Sequence, residues 1–316
     1  MTTIYLQAEI PADFAGKRLD QVLALLFPEY SRSQSQRWIE AGHVQVDNKL
    51  VYSVRAKVAG GEHVEIQALV VEQTQWAPQA LELSVVFADD SLIVINKPAG
   101  VVVHPAAGNR EGTLVNALLH HYPELAEIPR GGLVHRLDKE TTGLLVVART
   151  LSAYHLLVKQ LQQREIKREY FCIVRGQVIS GGTIEVPLGR HPVHRKRRAV
   201  VLSGKPAITH YRVHKRLAHF TALDVRLETG RTHQIRVHLQ HVGYPIVGDP
   251  VYGGRKYNPP GAPEELLSVL NHWKRQALHA CRLQLQHPVT GETCSWEAPL
   301  PADLVQLWTV LQDFDK

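Results

Sequence analysis

"LVHRLDKETTGLLVVART", residues 133–150, sets Arg136-Leu137-Asp138 at a polar turn directly before the apolar strand Leu144–Ala148. One carboxylate with one guanidinium beside it is an unusual kit for chemistry. The tripeptide alone does not define it, because a second Arg-Leu-Asp stands at Arg18–Asp20. Around the strand, from residue 81 onward, lie many short β-like runs: "SVVFA", "LIVINK", "GVVVH", "GLLVVA", "YFCIVRG", "ITHYRVH", "TALDVRLE" and "CRLQLQH". Helical patterns interrupt them near Thr113–His121, Leu151–Arg164, His233–Val242 and Pro263–Asn271. Strands and helices do not alternate regularly. The expectation is α+β with a mixed, largely antiparallel sheet flanked by helices, not a doubly wound fold.

Toward the N-terminus the pattern is that of a small α/β module. Arg18-Leu19-Asp20 opens "QVLALLF", whose Val22, Leu23, Leu26 and Phe27 make an apolar helical face. Asp20 then sits in a first helical turn, where a carboxylate suits the helix dipole. "SRSQSQRWIEAG" has Ser31 as N-cap and Gly42 as its stop. "HVQVDNKLVYS" alternates around Asp47-Asn48-Lys49, a hairpin signal. Residues 67–80, "QALVVEQTQWAPQA", lose periodicity and read as a linker. The expected division is a module over 16–66, the linker, and a larger domain over 81–316.

A chain of 316 residues with 44% apolar residues is long enough for two domains with a sizeable core. Three cysteines, Cys172, Cys281 and Cys294, lie far apart and imply neither a disulfide framework nor a zinc ribbon. "MTTIYLQAEIPADFAG" lacks a basic flank and a long apolar stretch, and no run approaches a membrane span. A cytoplasmic location is expected. The net charge is +6, unevenly spread. Residues 1–75 hold seven Lys/Arg against nine Asp/Glu, whereas residues 151–216 hold fourteen against three. That cationic stretch points to a polyanion, most simply nucleic acid. A solvated basic surface is the plainer alternative.

Several chemistries lack their signatures. There is no His-Glu-x-x-His, Cys-x-x-Cys or Gly-x-Ser-x-Gly. "AGNREGT" and "GGRKYN" carry neither the Walker lysine pattern nor the dinucleotide fingerprint. His191 and His194 have metal-like spacing, but the cations Arg195 to Arg198 beside them would repel a metal ion. No metal and no cofactor are expected.

What remains is a set of motifs in register: "HRLDKETTGLLVVA", "REY", "GRTHQIRVH", "VGDPVYGG" and "QALHA". Their order and spacing resemble the RluA-type pseudouridine synthases over essentially the whole chain. The helix, helix and hairpin of residues 16–66 resemble the S-four-type RNA-binding domain. The resemblance implies the pseudouridine synthase fold and an isomerase that detaches uracil, rotates it and rejoins it through carbon 5, with no cofactor. It implies large-subunit ribosomal RNA, free or in the assembling subunit, as partner. From the sequence itself no membrane is expected, and nothing in it suggests an obligate dimer, so a monomer is expected. Alternatives are a tRNA substrate or a non-catalytic RNA-binding assembly factor.

Carried onto this chain, the family's essential aspartate matches Asp138. It attacks the ribose or the base, or abstracts a ribose proton, and all three routes stay open. Arg236 matches the arginine that pairs with it, with Arg231 as runner-up. Tyr170 matches the motif tyrosine that stacks on the base. Leu278 and His279 are expected beside the substrate, Leu278 as an apolar wall. Arg136 is expected to enter the space a flipped uridine leaves. Expected RNA-backbone contacts are Arg32, Arg37 and Lys49 in the module, and Arg190, Arg195, Lys196, Arg197 and Arg198 in the cationic stretch.

Overall fold

Residues 1–75 form one unit and residues 76–316 a second. The computed structural model describes every residue except 1, 29, 31, 71–75, 106–108, 110, 195, 196, 255, 256 and 316. The first unit runs β1 (Thr2–Glu9), α1 (Leu19–Leu26), α2 (Arg32–Glu40), β2 (Val44–Val46), β3 (Lys49–Leu50) and β4 (His63–Val70). Its sheet has the order β1-β4-β2-β3. The period-3.6 apolar residues Leu19, Val22, Leu23 and Ile39 pack with Val44, Val64 and Ile66 of the strands in one core. The β2–β3 turn puts Asp47 and Asn48 at φ 46° and 62°, the left-handed pair a two-residue hairpin requires.

One local expectation is extended here, and the bounds of the module and its linker are corrected. Asp20 is more than a helix-dipole acid. It is fully buried and accepts from Arg18 (3.0 Å), Arg32 (2.8 Å) and Gln36 (2.6 Å), tying α1 to α2. A buried carboxylate has to be matched in this way. Next, β1 precedes residue 16 and pairs Thr2 with Val70, so the sheet takes in residues on both sides of the expected module and residues 67–70 are strand, not linker. Residues 76–80 are also held: Asn116 Nδ2 donates to the Ala77 carbonyl (2.8 Å), and Gln79 N–H donates to the Asn116 carbonyl (2.9 Å). Ser31, expected as the α2 N-cap, lies outside the described residues.

The second unit contains β5 (Val85–Ala88), β6 (Leu92–Lys97), α3 (Leu114–His121), β7 (Thr142–Ala148), α4 (Leu151–Gln162), β8 (Lys167–Arg175), β9 (Gly182–Glu185), β10 (Leu188–Arg190), β11 (Arg198–Val200), β12 (Ile208–Arg216), β13 (Phe220–Leu227), α5 (Gln234–His241), α6 (Glu264–His272), β14 (Leu278–Gln286), β15 (Thr293–Glu297) and α7 (Ala302–Phe314). The main sheet has the order β5-β6-β7-β14-β8-β13-β12-β9, with β15 paired to β14. Among the described strands only β7 and β14 run parallel, so the sheet is mixed and largely antiparallel.

The unbroken apolar run in β7 follows from cover on both faces. Leu145 and Val147 enter one core with Leu118 and Leu133. Leu144, Val146 and Ala148 enter another with Ala153 and Leu157 of α4. β7 also requires Gly143, since a Cβ there would lie 2.2 Å from the Ala280 carbonyl oxygen of β14. The expected strand "GVVVH" is a loop instead. Its Val102 and Val103 carbonyls accept the first N–H groups of α3 (2.9 and 3.2 Å), so they are unavailable to a ladder.

Candidate active site

The turn carrying Asp138 is held from beneath. Lys97, fully buried at the end of β6, donates its Nζ to the carbonyls of Pro98 (2.6 Å), Val101 (3.0 Å) and Lys139 (2.9 Å). Burial pushes its pKa down to about 7 against the pull of Glu140 and Asp138. Thr141 N–H returns to the Asp138 carbonyl (3.1 Å), and Gln276 Nε2 donates to Thr141 Oγ1 (2.9 Å). The backbone around Asp138 is therefore fixed on several sides.

Asp138 meets a guanidinium 98 residues away in the chain. Arg236 of α5 donates NH1 to Asp138 Oδ2 (2.9 Å). Its other edge is a fork onto Asp249, Nε to Oδ2 (2.7 Å) and NH2 to Oδ1 (2.9 Å). Asp249 Oδ1 also accepts the backbone N–H of Val251 (2.8 Å) and Tyr252 (2.9 Å). Burial by itself would lower the Arg236 pKa, but the Asp249 bonds override it and raise the pKa. Burial likewise works against the Asp249 carboxylate, yet Arg236 holds it below the ordinary value. The Asp138 side chain keeps 16% of its surface open, and its Oδ1 has His233 Nε2 at 3.7 Å, beyond hydrogen-bond length. One carboxylate oxygen is thus clamped and the other is left to the pocket.

His233 stands before α5 with φ 59°, and its Nδ1 is 2.8 Å from the Tyr252 hydroxyl. Tyr252 in turn accepts the Arg198 backbone N–H (2.8 Å) and lies under Arg236, 5.0 Å from ring centre to guanidinium. Asp249, Tyr252 and His233 were not assigned roles from the sequence. "VGDPVYGG" and "GRTHQIRVH" mark them, but nothing in either run tells which residue turns inward.

The pocket above Asp138 is a cleft of about 570 Å³ lined by Arg136, Asp138, Tyr170, Arg231, Arg236 and Leu278, among others. Tyr170 is almost wholly buried, and burial raises its phenol pKa, with Arg168 opposing and Asp138 adding. Arg136 is exposed at the rim and Leu278 is buried in the wall. Of two further expected neighbours, Arg231 lines the cleft without pairing to Asp138, and His279 turns away. Arg231 donates Nε to the Pro206 carbonyl (3.2 Å) rather than to Asp138, because it lies before the helix that carries Arg236. His279 does not line the pocket. Side chains alternate along β14, so Leu278 faces the cleft while His279 bonds Thr142 Oγ1 (2.8 Å) and the Ala298 carbonyl (3.2 Å).

The expected backbone contacts are differently placed. Arg32 is spent partly on Asp20, and Arg37 donates to Gln34 Oε1 (2.6 Å). Lys49 is exposed on the β3 hairpin. Arg190 and Arg198 stand opposite each other in the two-stranded β10–β11 ribbon, and Arg197 beside them is exposed. Arg195 and Lys196 lie outside the described residues.

The helix carrying Arg236 also carries a pH-sensitive support. His238 is fully buried, with Nδ1 2.9 Å from Thr209 Oγ1 and Nε2 3.2 Å from the Val186 carbonyl. Burial pushes its pKa down to about 4. An unfolded histidine binds its proton near pH 6.5, before the folded one does, so this stabilisation is complete above 6.5 and is lost as pH falls through 4. Thermal melting should shift to lower temperature over that window, and His238→Gln should flatten the slope. A melting temperature equally pH-dependent in the variant would dismiss His238 as the cause.

The comparisons with known proteins agree in kind. A family model described as RNA pseudouridylate synthase matches residues 91–241, and an S4 domain model matches residues 17–64. The ribosomal large subunit pseudouridine synthase D of Pasteurella multocida is 52% identical over 312 residues, 99% of this chain and 96% of that one. The protein of the same name from Escherichia coli K12 is 50% identical over 314 residues, with 99% and 96% covered. Among solved structures, human RNA Pseudouridylate Synthase Domain Containing 4 superposes with TM-score 0.57 at 25% identity, covering 72% of this chain and 93% of that one.

Proposed function

The chain belongs to the RluA-type RNA pseudouridine synthases, and on that premise we propose that it converts uridines of large-subunit ribosomal RNA to pseudouridine, with Asp138 as the essential group. The carrying observation is the split use of the Asp138 carboxylate, Oδ2 on Arg236 at 2.9 Å and Oδ1 directed to a cleft that Tyr170 also lines. Attack on the ribose, attack on the base and removal of a ribose proton all start from an ionised carboxylate with one oxygen free. Arg236 holds the other oxygen in a charge-assisted hydrogen bond at 2.9 Å and so fixes the direction of the free one. Tyr170 offers its ring to the flipped base, Leu278 closes the wall, and Arg136 at the rim takes the place the base leaves. The substrate is large-subunit RNA, either free or within the assembling subunit. One chain carries Asp138, Tyr170 and Arg236 together, which supports action as a monomer. Pseudouridine mapping in cells lacking the protein tests the reading: particular large-subunit sites should revert to uridine. Loss confined to tRNA, or no loss, overturns it.

Flipping a paired uridine costs a few kcal/mol, which contacts to the RNA backbone must offset. Arg190 and Arg198 oppose each other across β10–β11, an arrangement of like charges that a polyanion relieves. With about five phosphate contacts, the log-log dependence of RNA affinity on salt should have a slope near −3.5. A slope near zero would remove the ribbon from the RNA interface.

A further inference from the structure

The pocket holds a buried cation that the Asp138–Arg236–Asp249 chain does not use. Arg168 lies two residues before Tyr170 on β8, so both side chains project from one face of the sheet. It lines the same cleft and is 6% exposed. Of the five N–H donors of a guanidinium, one reaches the Glu228 carbonyl at 3.5 Å, the outer limit of a hydrogen bond. Among the described residues its buried Nε has no hydrogen-bond partner. Gly230 closes over the group, and a Cβ there would stand 2.7 Å from Arg168 NH1. Burial lowers the Arg168 pKa, with Tyr170 opposing.

His135 supplies a second unmatched donor in the same cleft. Its Nε2 accepts the Val146 N–H (3.1 Å), and burial, with the charges of Arg168 and Arg130, pushes its pKa to about 3. The ring is therefore neutral, and its hydrogen is on Nδ1, which is buried and has no partner among the described residues. Two donors that lack acceptors, in a cleft built for a ligand, call for an acceptor on that ligand.

We propose that Arg168, with His135, binds a carbonyl oxygen of the flipped uracil, an inference that rests on the uridine-isomerising reading above. A uracil fits better than a phosphate. Positions 168 and 170 are about 6.6 Å apart along the strand, close to the breadth of a pyrimidine. Val158, Leu161 and Leu227 make that end of the cleft apolar. When the bond from ribose C1′ to N1 breaks, its electron pair stays on the ring and spreads to the carbonyl oxygens, where Arg168 meets it. C5 then gives an electron pair to C1′, C5 loses its proton, and N1 gains one. Arg168 so retains the detached ring while it turns.

The test is single-turnover isomerisation of a large-subunit RNA fragment by the wild-type enzyme, with the reacting uridine replaced by 2-thiouridine or 4-thiouridine. Sulfur is a poor acceptor, so one of the two should slow the reaction by about tenfold or more at unchanged RNA affinity. In Arg168→Lys that discrimination should collapse to within about threefold while uridine itself reacts more slowly. If wild-type enzyme turns over both thio-substrates about as fast as uridine, the inference is overturned, with the proposed activity intact. If it fails to isomerise uridine itself, the functional reading has failed instead. The wild-type arm does not depend on the variant folding.

Discussion

Asp138→Asn is expected to abolish isomerisation, by about 10⁴-fold or more, while RNA binding and fold survive. The amide keeps the shape of the carboxylate but can neither attack nor take a proton. Folding is spared because Arg236 remains forked onto Asp249 at 2.7 and 2.9 Å. The removed charge was 16% open to solvent, so its loss leaves no sealed cation unmatched. Three readouts belong together: pseudouridine formed in a single turnover, RNA affinity, and melting temperature. Undiminished turnover would move the chemistry to another group. Lost activity together with a collapsed melting transition would make Asp138 structural.

Asp249→Ala should instead strike stability and rate at once. The Asp249 side chain is fully buried and that of Arg236 is 5% exposed. Removing the acid leaves a buried guanidinium with Asp138 alone and strips the acceptor from the N–H groups of Val251 and Tyr252. Breaking one side of such a pair costs about 3–5 kcal/mol. For a unit of this size that is a fall of roughly 6–20 °C in melting temperature. The freed guanidinium can then fork onto Asp138 and occupy the oxygen that should face substrate, so turnover falls even at temperatures where the variant is folded. Calorimetry and single-turnover kinetics read the two effects. An unchanged melting temperature would mean that the Arg236–Asp249 fork carries no stability.

The parts that were legible in the sequence share one property: their signal is local. Val22, Leu23, Leu26 and Phe27 announce α1 through spacing, and Asp47-Asn48 announces a turn through its tolerance of positive φ. The misreadings are where a distant partner changes the meaning of a residue. "GVVVH" has strand composition, but its carbonyls are taken by α3. Residues 67–70 lack strong alternation and become strand because β1 lies beside them. Lys97 ends a strand-like run as an ordinary cation would, and only the fold shows three carbonyls around its amino group.

By itself, the amino-acid sequence determined the α+β class, the small N-terminal module, the cationic stretch and the few motifs among which the chemistry must be sought. Periodicity, turn propensity and charge are properties of neighbouring residues, so they can be read without coordinates. Tertiary structure alone decided the geometry by which Arg236 meets Asp138, that Leu278 faces the cleft while His279 turns away, and that Asp249 fixes the arginine from behind. Each of those outcomes depends on strand parity or on a helix start, read across gaps of up to 98 residues. One residue of register turns a side chain from the pocket to the core, and packing against distant elements, not local composition, sets that register.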